Sequence, residues 1–400
     1  MTQAELDKRI KKLLEYYDEV TAFYVELIAA HLAQIGSIDA PVVPMVEVMA
    51  EMYDNITEIK RHMVKASQKA RPELYKLYNT ALNDVYHDDR FKRALAETPL
   101  QDSSKRALER YAQDVSRQVA NDMENLSHTT VIDETYRQAV NKAVIAVSSG
   151  LGDYSSMIRK SLRELGSNGL QVEYESGYHR RLDSALRQNI IDGARKILQH
   201  TSDAIGEELG YDAKELTAHP NSAPDHEPVQ GRVFLNEEFE RLQNDEESED
   251  IDGRKYPAME RAIGQWNCRH YVYPFSTKYS KRKYTAQQLD DMARKNAEGC
   301  EIDGKHYSLY EVSQLMRQIE TAIRREKDVA VAAKAAGDMD LRRECQSRIN
   351  ALKRKYSKVA DAAGLRERTD RMSIQGFKAV KETSSVVINS PGNFGEKAIP

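Results

Sequence analysis

Three histidines and a cysteine stand out in this chain of 400 residues, because imidazole and thiolate are good ligands for a borderline-soft cation such as zinc. They fall in two clusters. His219 and His226 lie in the stretch 216–231, while Cys268 and His270 lie in 264–275 beside Trp266, the sole tryptophan. A one-residue gap places Cys268 and His270 on the same face of an extended segment, with Cα atoms about 7 Å apart. Pro220, Pro224 and Pro228 make the first cluster a stiff irregular loop, since proline fixes φ and removes a donor. A zinc site of His219, His226, Cys268 and His270 is chemically reasonable, although its spacing is not that of a zinc finger. The same residues also allow a packed cross-link, with Trp266 as core and Asn267 and Arg269 bonded to turn backbone. A third reading is an active site with Cys268 as nucleophile and a histidine as base. The usual companions of such chemistry are missing from the sequence: it has no nucleophile elbow, phosphate loop or dinucleotide fingerprint.

The elements that must position these groups are mostly helical. Leu6, Ile10, Leu13, Tyr17, Val20, Tyr24 and Leu27 alternate by four and three, a heptad seam on a helix of about thirty residues. Met45, Met49, Met52, Ile56, Ile59 and Met63 form a second seam after Pro44, so the two predict an antiparallel hairpin turning at 36–41. The seams serve packing within the chain, or assembly with another copy or a partner helix. Pro72 is read as opening a further helix, and others are expected from 102, over 132–147 and over 154–165. At Gly166 the composition changes. Leu170 to Glu175 alternates like a strand, and a helix follows to about Leu209 whose Arg181, Arg187 and Arg195 read as a solvated face paired with Asp183 and Asp192. Glu215 to His219 reads as a short strand. The acid-rich run 244–253 is expected to be an extended, flexible insertion through like-charge repulsion. Asp303-Gly304 signals a β-hairpin, and helices are expected over 308–336 and 340–363, the second closed by Gly364. The end of the chain, with Ser384 to Asn389, reads as an extended tail.

The expected fold class is therefore α+β and predominantly α-helical. A helical N-terminal domain (1–165) carries the heptad hairpin, a small central α+β domain (166–307) carries the His/Cys motifs with the acidic insertion near 241–253, a helical hairpin (308–371) follows, and a tail (372–400) ends the chain. Forty per cent apolar content supports real cores, and a formal net charge of −4 gives no general field for nucleic acid. DNA contact would have to be local, for instance through Lys278, Lys281, Arg282 and Lys283. No run of about eighteen apolar residues and no signal sequence is apparent, so neither a membrane span nor secretion is expected. Three widely spaced cysteines fit reduced thiols.

Several motifs together carry a resemblance. His219, Asn221-Ser222, Asp225-His226, Gln230-Gly231 and Val233-Phe234 are followed by Gly264, Trp266 to His270 and Pro274-Phe275. Gly177, Arg181, Ala185 and Arg187 stand upstream. Tyr310, Gln314, Arg317, Ile319-Glu320, Ile323-Arg324 and Lys327 stand downstream, then Gly364-Leu365, Arg371 and Gly376-Phe377. In that order, over about 170–377, the chain resembles the phage minor capsid protein 2 family, and more distantly the Mu-type head morphogenesis proteins. The resemblance implies a bacteriophage head protein present in several copies per virion, made in the host cytoplasm. It further implies partners among the portal protein and the major capsid or scaffold protein, with a part in head assembly, DNA packaging or ejection. It brings no catalytic residues, so an enzyme is not expected. The rival reading is a metal- or cysteine-dependent hydrolase, or a toxin-like effector packaged in the virion.

Overall fold

The structure, a computed structural model, describes residues 3–37, 44–149, 154–259, 261–264, 268 and 270–380. Trp266, Asn267 and Arg269, residues 38–41 of the turn expected at 36–41 and the tail beyond 380 lie outside the described residues. The fold is α+β and predominantly helical, as expected, with small antiparallel sheets.

Helices α1 (Gln3–Gly36) and α2 (Met45–Tyr86) pack along the predicted seams. Leu6, Ile10, Leu13, Tyr17, Val20 and Tyr24 are all buried, as are Met52, Ile56, Ile59 and Met63, so the ladders are buried within this chain. Met45, where the second ladder was expected to start, is exposed. Pro72 does not open a helix; it sits inside α2. An interior proline costs about 3 kcal/mol, but Ala66, Ala70, Leu74 and Leu77 carry one buried face across it, and that packing overrides the local stop. Four more helices follow: α3 (Asp89–Glu97), α4 (Asp102–His128), α5 (Ile132–Ser149) and α6 (Tyr154–Asn168). Of these α3 was not foreseen. Asp88 caps it by accepting from the Arg90 backbone N–H at 3.0 Å.

A two-stranded ribbon of β1 (Gln171–Glu173) and β2 (His179–Arg181) leads into α7 (Leu182–Glu208), which packs on α2 and α4. Arg181 is not solvated. Its guanidinium donates to Asp328 at 2.8 Å and to Asp183 at 3.3 Å, Arg324 also pairs with Asp183, and the side chains of Arg181, Asp183 and Asp328 are nearly inaccessible. Sequence spacing pointed to Asp183 but could not see Asp328, which arrives from a helix 147 residues away.

The central sheet has the order β4–β3–β7, all antiparallel, from β3 (Ala213–Leu216), β4 (Val233–Leu235) and, later in the chain, β7 (Val272–Phe275). Between β4 and β7 come α8 (Asn236–Gln243) and a hairpin of β5 (Ser248–Glu249) and β6 (Lys255–Tyr256). The acidic run is thus folded rather than extended. The Asp250 carboxylate accepts from Tyr256 Oη at 2.7 Å and from the Asp252 and Arg254 backbone N–H groups at 2.9 and 3.0 Å, and these bonds outweigh the like-charge repulsion. Arg282 pairs with Asp252 through two 2.6 Å bonds, which neutralises part of the basic patch.

Helix α9 (Ala286–Glu298) and the hairpin of β8 (Cys300–Ile302) and β9 (Lys305–Tyr307) precede α10 (Leu309–Ala335) and α11 (Met339–Ala362). Ser308 and Glu311 form a capping box at the start of α10, and Asp303 and Gly304 take the positive φ values that a tight hairpin turn requires. The largest buried cluster joins α1, α2 and α4 to α7 with Val329 to Ala333 of α10 and with Leu341 and Cys345 of α11. The hairpin anticipated at 308–371 therefore packs into the same core as the N-terminal helices. Its distal half has a second cluster around Val312, Ile323, Ile349 and Tyr356.

Candidate metal centre

Strand pairing brings the two sequence clusters together. Leu216 lies opposite Val272 in the β3–β7 ladder, and the chain continues the zip beyond it: the Thr217 N–H donates to the Tyr271 carbonyl at 2.9 Å and the Tyr271 N–H to Thr217 Oγ1 at 2.8 Å. His270 therefore emerges beside the start of the proline-rich loop. That loop is ordered by its own turns, with the His226 and Glu227 N–H groups donating to the Ala223 carbonyl at 3.0 and 2.9 Å. It is anchored from outside by buried Asn296 on α9, whose amide donates to Glu227 at 2.7 Å and to the Ser222 carbonyl at 3.3 Å and accepts from the Tyr310 N–H at 3.0 Å.

Three of the four predicted residues converge. Cys268 Sγ lies 3.3 Å from His226 Nδ1 and 3.4 Å from His270 Nδ1, and ligand atoms of the three residues all fall within 4.8 Å of one another. All three are buried, with exposures of 1% for His226, 5% for Cys268 and 4% for His270. His219 stands outside this trio. Its ring stacks on that of His270, centroids 4.5 Å apart, and its Nδ1 meets Asn221 Oδ1 at 3.1 Å.

The surroundings orient both rings. His226 Nε2 is 2.9 Å from the Arg261 carbonyl, which can only accept. Arg261 is itself held by a bidentate pair with Asp225, both bonds 2.9 Å. His270 Nε2 faces Gln230 Oε1 at 3.3 Å and Ser222 Oγ at 3.4 Å, and the same Gln230 oxygen accepts the His219 backbone N–H at 3.0 Å. Burial pushes the Cys268 thiol up, but the two facing imidazoles outweigh it and bring it down to about 5. For His226 burial favours the neutral ring, yet the Cys268 contact prevails and the net shift is upward. A cavity of about 220 Å³ opens against the trio, with Tyr310, Ser313, Gln314 and Arg317 of α10 along its other wall. Burial lowers the Arg317 pKa, and the nearby Arg371 and Arg368 charges add to the effect.

A family model described as phage minor capsid protein 2 matches residues 1–359. The chain belongs to the phage minor capsid protein 2 family. It is therefore a structural protein of a bacteriophage head and a component of the virion. The match takes in the helical first 165 residues, where the sequence showed only general character, and ends before the Gly364 to Phe377 segment. No curated protein and no solved structure matches the chain. Among the described residues no helix is long and apolar enough to cross a membrane.

For this minor capsid protein, the sequence singled out these three residues together with His219, which the structure leaves outside the trio, but not all of the supports around them. Arg261 carried no signal, because its contribution is a backbone carbonyl that any residue would have. Tyr310, Gln314 and Arg317 were marked by the family resemblance, and their spacing of four and three explains why they face the site together on one side of α10.

Proposed function

We propose that this capsid protein acts at the portal or on the inner side of the shell, in few copies, during head assembly, DNA packaging or ejection. Its partners on this reading are the portal protein and the major capsid or scaffold protein. Membership of the family over residues 1–359 carries the proposal. The build of the chain agrees with it. Helices from both ends share one core, and the sheet that holds the His/Cys trio packs through β7 onto α7. Gly206 of α7 makes that approach close: a Cβ there would lie 2.4 Å from the Pro274 ring. At the start of α2, Val46 and Tyr53 are large apolar side chains left exposed, available to a neighbouring subunit.

A cysteine hydrolase is the weaker reading. Cys268 is only 5% exposed and contacted by imidazoles on two sides, which leaves its sulfur little approach to a substrate carbon even from the adjoining cavity. Mass spectrometry of purified heads tests the proposal. Peptides of this chain should appear at a small fraction of the major capsid protein, and cross-links should join it to the portal. Heads that contain the portal protein but none of this chain would overturn it.

A further inference from the structure

We propose that His226 Nδ1, Cys268 Sγ and His270 Nδ1 are three ligands of one transition-metal ion of the zinc class, with its fourth position open to the cavity beneath α10. The first support is metric. Tetrahedral zinc with Zn–S of about 2.3 Å and Zn–N of about 2.0–2.1 Å sets sulfur and nitrogen ligands roughly 3.5 Å apart. The two observed separations from Cys268 Sγ are 3.3 and 3.4 Å.

The second support is proton accounting. The Arg261 carbonyl can only accept, so His226 must carry its proton on Nε2. Gln230 Oε1 already receives a backbone N–H from His219, which identifies it as the carbonyl end of the amide, so His270 must also carry its proton on Nε2. In the neutral rings both Nδ1 atoms then present lone pairs to a single sulfur. A thiol has one proton and can satisfy one of them. The other would face sulfur lone pairs, with only the adjoining cavity to offer it a water. A cation placed among the three atoms satisfies both imidazoles and the thiolate at once. The outer bonds have the form metal sites use, with the distal imidazole N–H given to a backbone carbonyl or a side-chain oxygen.

The donor set also selects the ion. One thiolate and two imidazoles suit zinc and its soft neighbours, while magnesium and calcium require oxygen ligands. His219, stacked on His270, holds that ring's plane without joining the ligand atoms, so its role is positioning. The cavity along Tyr310, Gln314 and Arg317 leaves room for a water or a small anion in the fourth position.

Metal analysis and cobalt substitution of the full-length protein test this inference, which does not depend on where the protein sits in the head. After desalting, the wild type should retain about one equivalent of zinc per chain. The cobalt-loaded protein should show a thiolate-to-metal charge-transfer band together with the intense visible absorption of tetrahedral cobalt. Cys268→Ser should abolish the charge-transfer band. Gln230→Leu, which keeps all three ligands, should weaken zinc binding roughly 10–100-fold. His219→Ala should leave the stoichiometry unchanged. Folded wild-type protein that retains no zinc and yields no thiolate band with cobalt would overturn the inference, and that reading needs no variant to fold. So would a charge-transfer band that persists in Cys268→Ser.

Discussion

Gly166→Ala sets two physical effects of opposite sign against each other. Gly166 lies within α6, in ordinary helical backbone. Replacing glycine by alanine in a helix interior normally stabilises by about 0.5–1 kcal/mol, partly by restricting the unfolded chain. Here the added Cβ would sit 2.4 Å from the backbone nitrogen of Val329 and 2.5 Å from its Cα. Carbon contacts are comfortable only at about 3.5–4.0 Å. Backbone atoms cannot rotate aside, so α6 and α10 would have to separate by about 1 Å along an interface that includes buried Leu162, Leu165, Val329 and Ala333. Overpacking of this kind costs about 1–3 kcal/mol, with the upper end expected where main chain is the obstacle. The net effect should be a loss of about 1–2 kcal/mol. Urea denaturation followed by circular dichroism reads this as a lower midpoint at unchanged slope. A variant as stable as the wild type, or more stable, would refute the idea that α6 and α10 meet at this glycine.

Two further perturbations probe the charge network around Arg181. Arg181→Met removes the partner of buried Asp328 and one of the two partners of Asp183, which keeps Arg324, and leaving the Asp328 carboxylate unpaired should cost about 3–5 kcal/mol, again read from the urea midpoint. Little or no loss would mean that this carboxylate is hydrated. Burial, reinforced by the Asp183 charge, raises Asp18 from the ordinary carboxylate range to about 7. A carboxyl held neutral in the fold favours folding fully below about pH 4, and that contribution is lost as pH rises through about 7. Asp18→Asn should therefore match the wild type near pH 4 and exceed it at pH 8 by about 2 kcal/mol, half the linkage value because the side chain keeps some access to solvent. Equal stabilities at both pH values would refute the assignment.

Much of this protein was legible from the sequence by itself, where the governing physics is local. The heptad seams of α1 and α2, the start of a helix at Ser308 and the Asp303-Gly304 turn each depend on groups within a turn or two of one another. The family resemblance was legible for a related reason, since it rests on residue types in a fixed order, which folding does not alter. Only the tertiary structure decided the features set by distant neighbours. Pro72 stays inside a helix because a buried face continues past it. Arg181 is buried because Asp328 arrives from α10, and the acidic run folds because Tyr256 and backbone N–H groups converge on Asp250. His219 stacks beside the trio while His226 enters it, a difference that two histidines seven positions apart on a loop cannot reveal. Oxygens of Arg261 and Gln230 face the outer nitrogens of the His226 and His270 rings, and the two rings meet only when β3 and β7 pair.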